Sequence, residues 1–222
     1  MKSILFRYAI SFAKLMSKIC KTERRTVMTD PHISQKISRF PVPEFSQLPE
    51  DIQQMLTDVS DKAGFIPNVF LTLAYRPDEL RAFFAYHNAL MLRKGGISKA
   101  EKEMIIVATS AENSCLYCVI AHGAILRIYA KSGSLSDQIA TNYRKADITE
   151  RQCAMLDFAI KVCNKSAEVA EEDFVALAAH GFSEDDIWDI AGITALFALS
   201  NRMASITAMR PNDEFYQMGR GI

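Results

Sequence analysis

The densest grouping of chemically capable side chains in the sequence is Glu112-Asn113-Ser114-Cys115-Leu116-Tyr117-Cys118-Val119-Ile120-Ala121-His122. Residues three and four apart share a face of a helix, so Cys115, Cys118 and His122 would line one side if the run is helical. Asn113 and Ser114 are capping types ahead of an apolar stretch, which places the two cysteines in the first turn. Unpaired amide N–H groups and the helix dipole give that turn partial positive charge, which favours thiolate over thiol. At this spacing Cys115 and Cys118 can close a disulfide with little backbone movement. His122 can take a thiol proton or stabilise the thiolate, the species that attacks a peroxide or a disulfide sulfur.

Other readings of the same residues stay open. Cys-x-x-Cys-x3-His is compatible with part of a zinc site, although a closed tetrahedral site needs four ligands and no second such pair is present. Cysteines on an apolar helix face are also compatible with inert core thiols. Glu103 lies beside an apolar run from Met104 to Ala108, where a buried carboxylate would need a partner such as His122. It also fits an exposed position in the charged patch Glu101-Lys102-Glu103. The remaining candidates read as structural. Cys153 and Cys163 belong to a helix with Met155, Leu156, Phe158 and Val162. His87 reads as a helix-face or core residue, His180 as a helix end before Gly181, and His32 as part of a flexible arm. Trp188 reads as core, and Gly95-Gly96 as an interhelical loop, since no strand precedes it to make a phosphate cradle.

The elements that must position the dithiol are helices. Seven prolines and nine glycines are few for 222 residues, while Ala, Leu, Ile and Met are plentiful, and this favours an all-α fold. The periodicity predicts helices over 49–63, 67–75, 77–93, 98–112, 115–131, 134–144, 149–164, 170–180, 183–198 and 199–208. Capping-box spacing marks three starts: Ser98 to Glu101, Thr149 to Gln152, and Ser183 to Asp186 with the shorter acid. Laying the segment from Ile97 on that from Phe182, an offset of 85, aligns Ser98 with Ser183 and Glu101 with Asp186. It also sets Cys115, Cys118 and His122 against Ser200, Met203 and Thr207. If this is an internal duplication, the second copy keeps the fold without the chemistry.

The chain is expected to divide into a basic extension over 1–27, an extended arm over 28–48 held open by Pro41 and Pro43, and one helical domain over 49–222. The extension carries Lys2, Arg7, Lys14, Lys18, Lys21, Arg24 and Arg25 against the single acid Glu23. It reads either as the result of an upstream start codon, with Met28 the true beginning, or as a transit peptide or interfacial helix. Lys plus Arg and Asp plus Glu balance at 26 each, for zero formal charge, so no global field recruits nucleic acid or an anionic membrane. No apolar run approaches the roughly 18 residues of a membrane span. Five cysteines with one close pair do not make a secreted disulfide framework. A cytoplasmic protein is expected, or a mitochondrial matrix protein if the extension is a transit peptide.

These residues resemble the alkyl hydroperoxidase D and carboxymuconolactone decarboxylase superfamily, and within it a branch of uncharacterised peroxidase-related enzymes. The resemblance runs from about Ile37 to Gly219. It is carried by Gly64-Phe65-Ile66-Pro67-Asn68-Val69-Phe70, Arg76-Pro77-Asp78-Glu79-Leu80, Ser98 to Glu103, Cys115-Leu116-Tyr117-Cys118 with His122, and Asn201-Arg202-Met203-Ala204. It implies a helical homo-oligomer and a thiol-dependent peroxidase that works without metal, haem or flavin, using a hydroperoxide substrate and a dithiol or protein reductant. Glu103, twelve residues before Cys115, would then belong to the site. Cys118 would be the peroxidatic thiolate, activated by His122 and Glu103, and Cys115 would resolve its sulfenic acid as a disulfide. Tyr117 stands where the well-studied peroxidases of the family carry a second histidine, and with a pKa near 10 it is a poor proton relay at neutral pH. The alternatives are a thiol-disulfide exchange enzyme acting on proteins and a non-catalytic zinc-binding helical module.

Overall fold

The computed structural model describes residues 36–221; the basic extension, Cys20, His32 and the first part of the arm lie outside the described residues. Among these the chain is all-α, as expected, with no strand and ten α-helices: α1 (Glu50–Ala63), α2 (Asn68–Leu73), α3 (Pro77–Met91), α4 (Lys99–Glu112), α5 (Leu116–Ala130), α6 (Leu135–Asn142), α7 (Glu150–Lys165), α8 (Glu171–Ala179), α9 (Glu184–Ile206) and α10 (Glu214–Gln217). They fall into two compact units, one of residues up to 88 with 206–210, the other of 89–205 with 211–221.

The first unit is built on α1, α2 and α3 up to Asn88. Ile52, Leu56 and Val59 recur at helical spacing on α1 and meet Phe70, Leu80 and Phe84 in its core. Phe70 and Phe84 stack with ring centroids 4.4 Å apart. Gly64 ends α1 at φ 82°, its N–H closing on the Ser60 carbonyl, a conformation that a side chain at that position would resist. The described part of the arm is not extended throughout, since Phe45–Gln47 form a 3-10 turn, and it is tied down by Arg39 N–H to the Thr207 carbonyl and Arg210 N–H to the Ile37 carbonyl.

In the second unit, α4 is the central element and packs against α5, α6 and α7. Every residue from Glu101 to Ser110 is buried, so its polar side chains must find partners inside. Its N-terminus carries the expected capping box between Ser98 and Glu101, as does that of α7 between Thr149 and Gln152. At α9 the Ser183 N–H and Asp186 Oδ2 lie 3.0 Å apart and the Asp186 N–H and Ser183 Oγ 3.2 Å apart, so the short acid completes the third box. Asp186 also accepts from the Gly96 N–H at 2.8 Å. A Cβ on Gly96 would stand 2.5 Å from that carboxylate, so the position needs glycine.

Three local expectations are corrected. The helices expected over 183–198 and 199–208 are one, α9. The chain runs on as helix through the expected boundary at 198/199, and just beyond it Asn201 is buried and bonded to Ser110. Trp188 is not core: it is 76% exposed. Glu101, Lys102 and Glu103 are not an exposed patch, since all three are buried. Lys102 stretches its Nζ to the carbonyls of Leu90 and Arg93, at 2.7 and 2.9 Å, and so terminates α3.

Candidate active site

The dithiol sits at a sharp break in the chain between α4 and α5. Ser114 adopts φ 52°, its N–H donating to Ala111 O and the Cys115 N–H to Ser110 O, each at 2.9 Å. This is the paired closure of a Schellman motif, with serine where glycine is usual. The corresponding stretch in the register of the repeat, 198–200, continues as helix within α9. The break thus makes a helix N-terminus at the cysteines in one segment and leaves none in the other.

The cap of α5 is a sulfur. Asn113 and Ser114 were the expected caps, but the N-cap is Cys115, whose Sγ accepts from the Cys118 N–H at 3.3 Å. Asn113 instead closes α4, its side-chain amide donating to the Thr109 carbonyl at 2.9 Å and reaching the Cys163 Sγ at 3.2 Å. Cys115 and Cys118 are free and buried, with their sulfurs 2.7 Å apart. The hydrogen bond shared with Cys118 pulls the Cys115 thiol below its ordinary value, and the Cys118 and Tyr117 backbone N–H groups add to this against the opposing effect of burial. Cys118 is pushed well up, by the same bond to Cys115, by burial and by the charge next to it, while the hydroxyls of Ser200 and Ser110 act the other way. Of the two, Cys115 is therefore the thiol that ionises more readily.

The other half of the site is a carboxylate–imidazole pair. Glu103, on α4, is 2% exposed, and its Oε2 lies 2.7 Å from Nδ1 of His122 on α5. An ionised carboxylate only accepts, so the pair fixes the tautomer with the proton on Nδ1 and leaves Nε2 as the acceptor. Phe197 of α9 packs edge-to-face on the ring at 4.7 Å and holds its plane. No hydrogen bond joins His122 to either sulfur among the described residues. Tyr117, between the two cysteines in sequence, is buried. Tyr129 lies near Glu103, and burial first, then that carboxylate, pushes its phenol up to about 12.

Sequence reasoning brought together Glu103, Cys115, Cys118 and His122 but missed what α9 supplies. The Ser200 Oγ lies 3.9 Å from the Cys118 Sγ, and the Ser110 Oγ donates to Asn201 Oδ1 at 2.9 Å. The signal was present in two places: Asn201 opens one of the motifs carrying the family resemblance, and Ser200 is the position that the repeat sets against Cys115. Among the described residues no group of three or more His, Cys, Asp or Glu is arranged to hold a metal ion.

Comparison with known proteins identifies the family. Residues 77–162 match the carboxymuconolactone decarboxylase family. The chain is 67% identical to an uncharacterized peroxidase-related protein with an alkylhydroperoxidase AhpD core from Ralstonia eutropha JMP134, over 84% of this chain and 98% of that one, with a TM-score of 0.83. A peroxidase-related protein from Silicibacter sp. TM1040 is 41% identical over 87% of this chain and all of that one, with a TM-score of 0.80. The debrominase Bmp8, at 20% identity and a TM-score of 0.63 over 82% of this chain and 95% of that one, shares the fold. No curated protein gives a significant match. The chain belongs to the AhpD-like carboxymuconolactone decarboxylase family, alongside its peroxidase-related proteins.

Proposed function

We propose that this protein is a thiol-dependent peroxidase that passes two electrons from an external dithiol to a hydroperoxide through Cys115 and Cys118. The observation that carries this reading is the buried Glu103–His122 pair set beside two free sulfurs 2.7 Å apart at a helix N-terminus. A disulfide-exchange thiol needs a low pKa alone, whereas a thiol whose proton is held tightly needs a base. Cys118 is such a thiol, and His122 follows it by one helical turn with Nε2 as acceptor.

In the proposed cycle His122 takes the Cys118 proton and the Cys118 thiolate attacks the terminal oxygen of ROOH. The O–O bond breaks, the alkoxide recovers the proton and leaves as ROH, and Cys118 becomes sulfenic acid. Cys115, as its thiolate, attacks that sulfur, forming the disulfide and releasing hydroxide, which takes up a proton as water. An external dithiol or protein reductant then supplies two electrons and two protons to restore both thiols. Tyr117 contributes a buried phenol and no second base.

The outward face of α9 supports self-association. Trp188, Ala195 and Leu199 recur at spacings of seven and four and are exposed, an apolar stripe that a monomer would leave in water. Among the described residues no helix is long and apolar enough to cross a membrane.

The test is steady-state consumption of cumene hydroperoxide with dithiothreitol or a dihydrolipoyl donor. The reading expects turnover that depends on both the dithiol and Cys118. Reduction of protein disulfides without peroxide consumption would replace it with the exchange reading.

A further inference from the structure

Two rows of residues run along α9. Ile187, Ile190, Ile193, Leu196 and Phe197 are buried within the second unit. The other row faces outward: Asp185, Trp188, Gly192, Ala195, Leu199 and Arg202, at successive spacings of 3, 4, 3, 4 and 3, all exposed except the half-buried Gly192. Those are the spacings of an a/d seam, along which one helix lies on another. Trp188 is 76% and Leu199 54% exposed, and an indole left in water within an apolar row marks a contact with another molecule.

The order of residue types along the row says which molecule. Taken in reverse, the row is complementary to itself: Arg202 falls opposite Asp185, Leu199 opposite Trp188, and Ala195 opposite Gly192. Base meets acid, large apolar meets large apolar, and small meets small. A partner of another kind asks for no such symmetry, whereas a two-fold interface requires it, because the same surface supplies both sides. Two antiparallel helices give this register, with each a position of one facing a d position of the other. At the centre, Gly192 and Ala195 have almost no side chain, so the axes can approach closely. A glycine within a helix, which costs stability relative to alanine, thereby acquires a use. The charges at the ends can take part. Arg202 is exposed, and among the described residues its guanidinium donates to the Ala198 carbonyl one turn back and pairs with no carboxylate. Asp185 meets Arg93 through Oδ2 and its side chain stays 79% exposed, which leaves Oδ1 open to a second guanidinium.

We propose that a second copy of this chain packs on α9 in antiparallel register about a two-fold axis at Gly192 and Ala195. Trp188 then lies on the partner's Leu199, and Asp185 meets the partner's Arg202. This inference rests on reading α9 as the associating face and specifies the occupant and its register. The same helix sets Phe197 against the His122 ring at 4.7 Å and the Ser200 Oγ 3.9 Å from the Cys118 Sγ, so the pairing braces the helix that backs the dithiol in both protomers. At 1.5 Å per residue the row is about 26 Å long, and one helix pair of that length covers roughly 300 Å² on each side. A standard interface covers about 800 Å² per partner, so the association is expected to reverse on dilution.

Its test is charge reversal in the full chain, with the mass and the dissociation constant read by sedimentation velocity over a dilution series. Asp185→Arg sets arginine against arginine at both ends of the pair, and Arg202→Asp sets acid against acid. Each turns two attractive contacts into two repulsive ones, which at the strength of exposed ion pairs raises the dissociation constant about 30-fold. Asp185→Arg/Arg202→Asp restores both contacts with the signs exchanged and should return to within about threefold of wild type. An equimolar mixture of the two single variants should also associate, since mixed pairs are complementary at both ends. Arg93 keeps its bond to Asp189 in every variant, and circular dichroism should be unchanged. A double variant no tighter than the singles overturns the antiparallel register, and so do singles that associate like wild type. If Trp188→Glu still dissociates the protein in that case, self-association on α9 stands and only the register falls. If Trp188→Glu also leaves the mass unchanged, or wild type is monomeric at every dilution, both fall together.

Discussion

Glu103→Gln separates a working carboxylate from a structural one. The substitution keeps the volume of a side chain that is 2% exposed and leaves an oxygen able to accept from His122 Nδ1, now 2.7 Å from Oε2. What it removes is the charge. A hydrogen bond to a charged group contributes about 1.5–3 kcal/mol and one between neutral groups about 0.5–1.5. The exchange therefore withdraws about 1–2 kcal/mol of support from an imidazole that must gain a proton during attack. At about 1.4 kcal/mol per factor of ten, hydroperoxide consumption falls about 5- to 30-fold. Folding moves the other way, because taking a charge out of the interior relieves desolvation, so urea unfolding should show stability unchanged or raised by up to about 1 kcal/mol. Stopped-flow peroxide consumption and equilibrium unfolding on the same preparation check both signs. A variant with the full wild-type rate refutes the role given to Glu103, and so does one whose lost activity follows lost folding.

Four further outcomes are expected. Burial alone would raise the Asp186 carboxyl, but the Ser183 N–H and hydroxyl and the Gly96 N–H, with the charge of Arg151, hold it below the ordinary value of 3.8. A depressed carboxyl contributes stability that is present above its unfolded pKa and is lost as pH falls through the folded one. Asp186→Asn should therefore cost about 0.5–2 kcal/mol in urea unfolding at neutral pH, with the gap to wild type closing below about pH 4. Ser114→Gly should raise stability by about 1 kcal/mol, since φ is 52° there and an L side chain pays roughly that in the left-handed region; a loss in thermal denaturation would show that the serine side chain is needed. Trp188→Glu should lower the mass seen by light scattering with circular dichroism unchanged, and an unaltered mass would remove α9 as the associating face. Site-resolved alkylation of the wild type should give Cys115 a midpoint below the free-cysteine value of about 8.5 and Cys118 one above it; the reverse order would contradict the charge assignment.

How much of this was legible in the sequence depended on whether a local signal carried the information. Capping boxes are local, so the starts of α4, α7 and α9 could be read from Ser98, Thr149 and Ser183 alone. The all-α class followed from periodicity and few breakers, and the spacing of Cys115, Cys118 and His122 followed from helix geometry. Glu103 was ambiguous for a physical reason: its flanks, Glu101 and Lys102, are themselves buried by partners outside their own helix, Arg151 for Glu101 and the end of α3 for Lys102. No window of sequence shows that three charged residues in a row are all inside. Family resemblance placed Glu103 in the site before its burial could be known. The same limit hid Ser200 and Asn201, whose partners, Cys118 and Ser110, lie more than 80 residues away. Trp188 was misread because aromatic residues are usually core, and periodicity does not say which of two apolar faces of a helix such as α9 a monomer buries.

The central claim is that Cys115 and Cys118 form the redox centre, and thiol titration tests it most directly. Reduced protein is titrated before and after a small excess of cumene hydroperoxide, alongside Cys115→Ser and Cys118→Ser. The account predicts rapid loss of two thiols in the wild type, with sulfenic acid trapped in Cys115→Ser and absent from Cys118→Ser. Survival of both thiols over minutes would contradict it. Sulfenic acid trapped only in Cys118→Ser would keep the dithiol and reverse the order of attack.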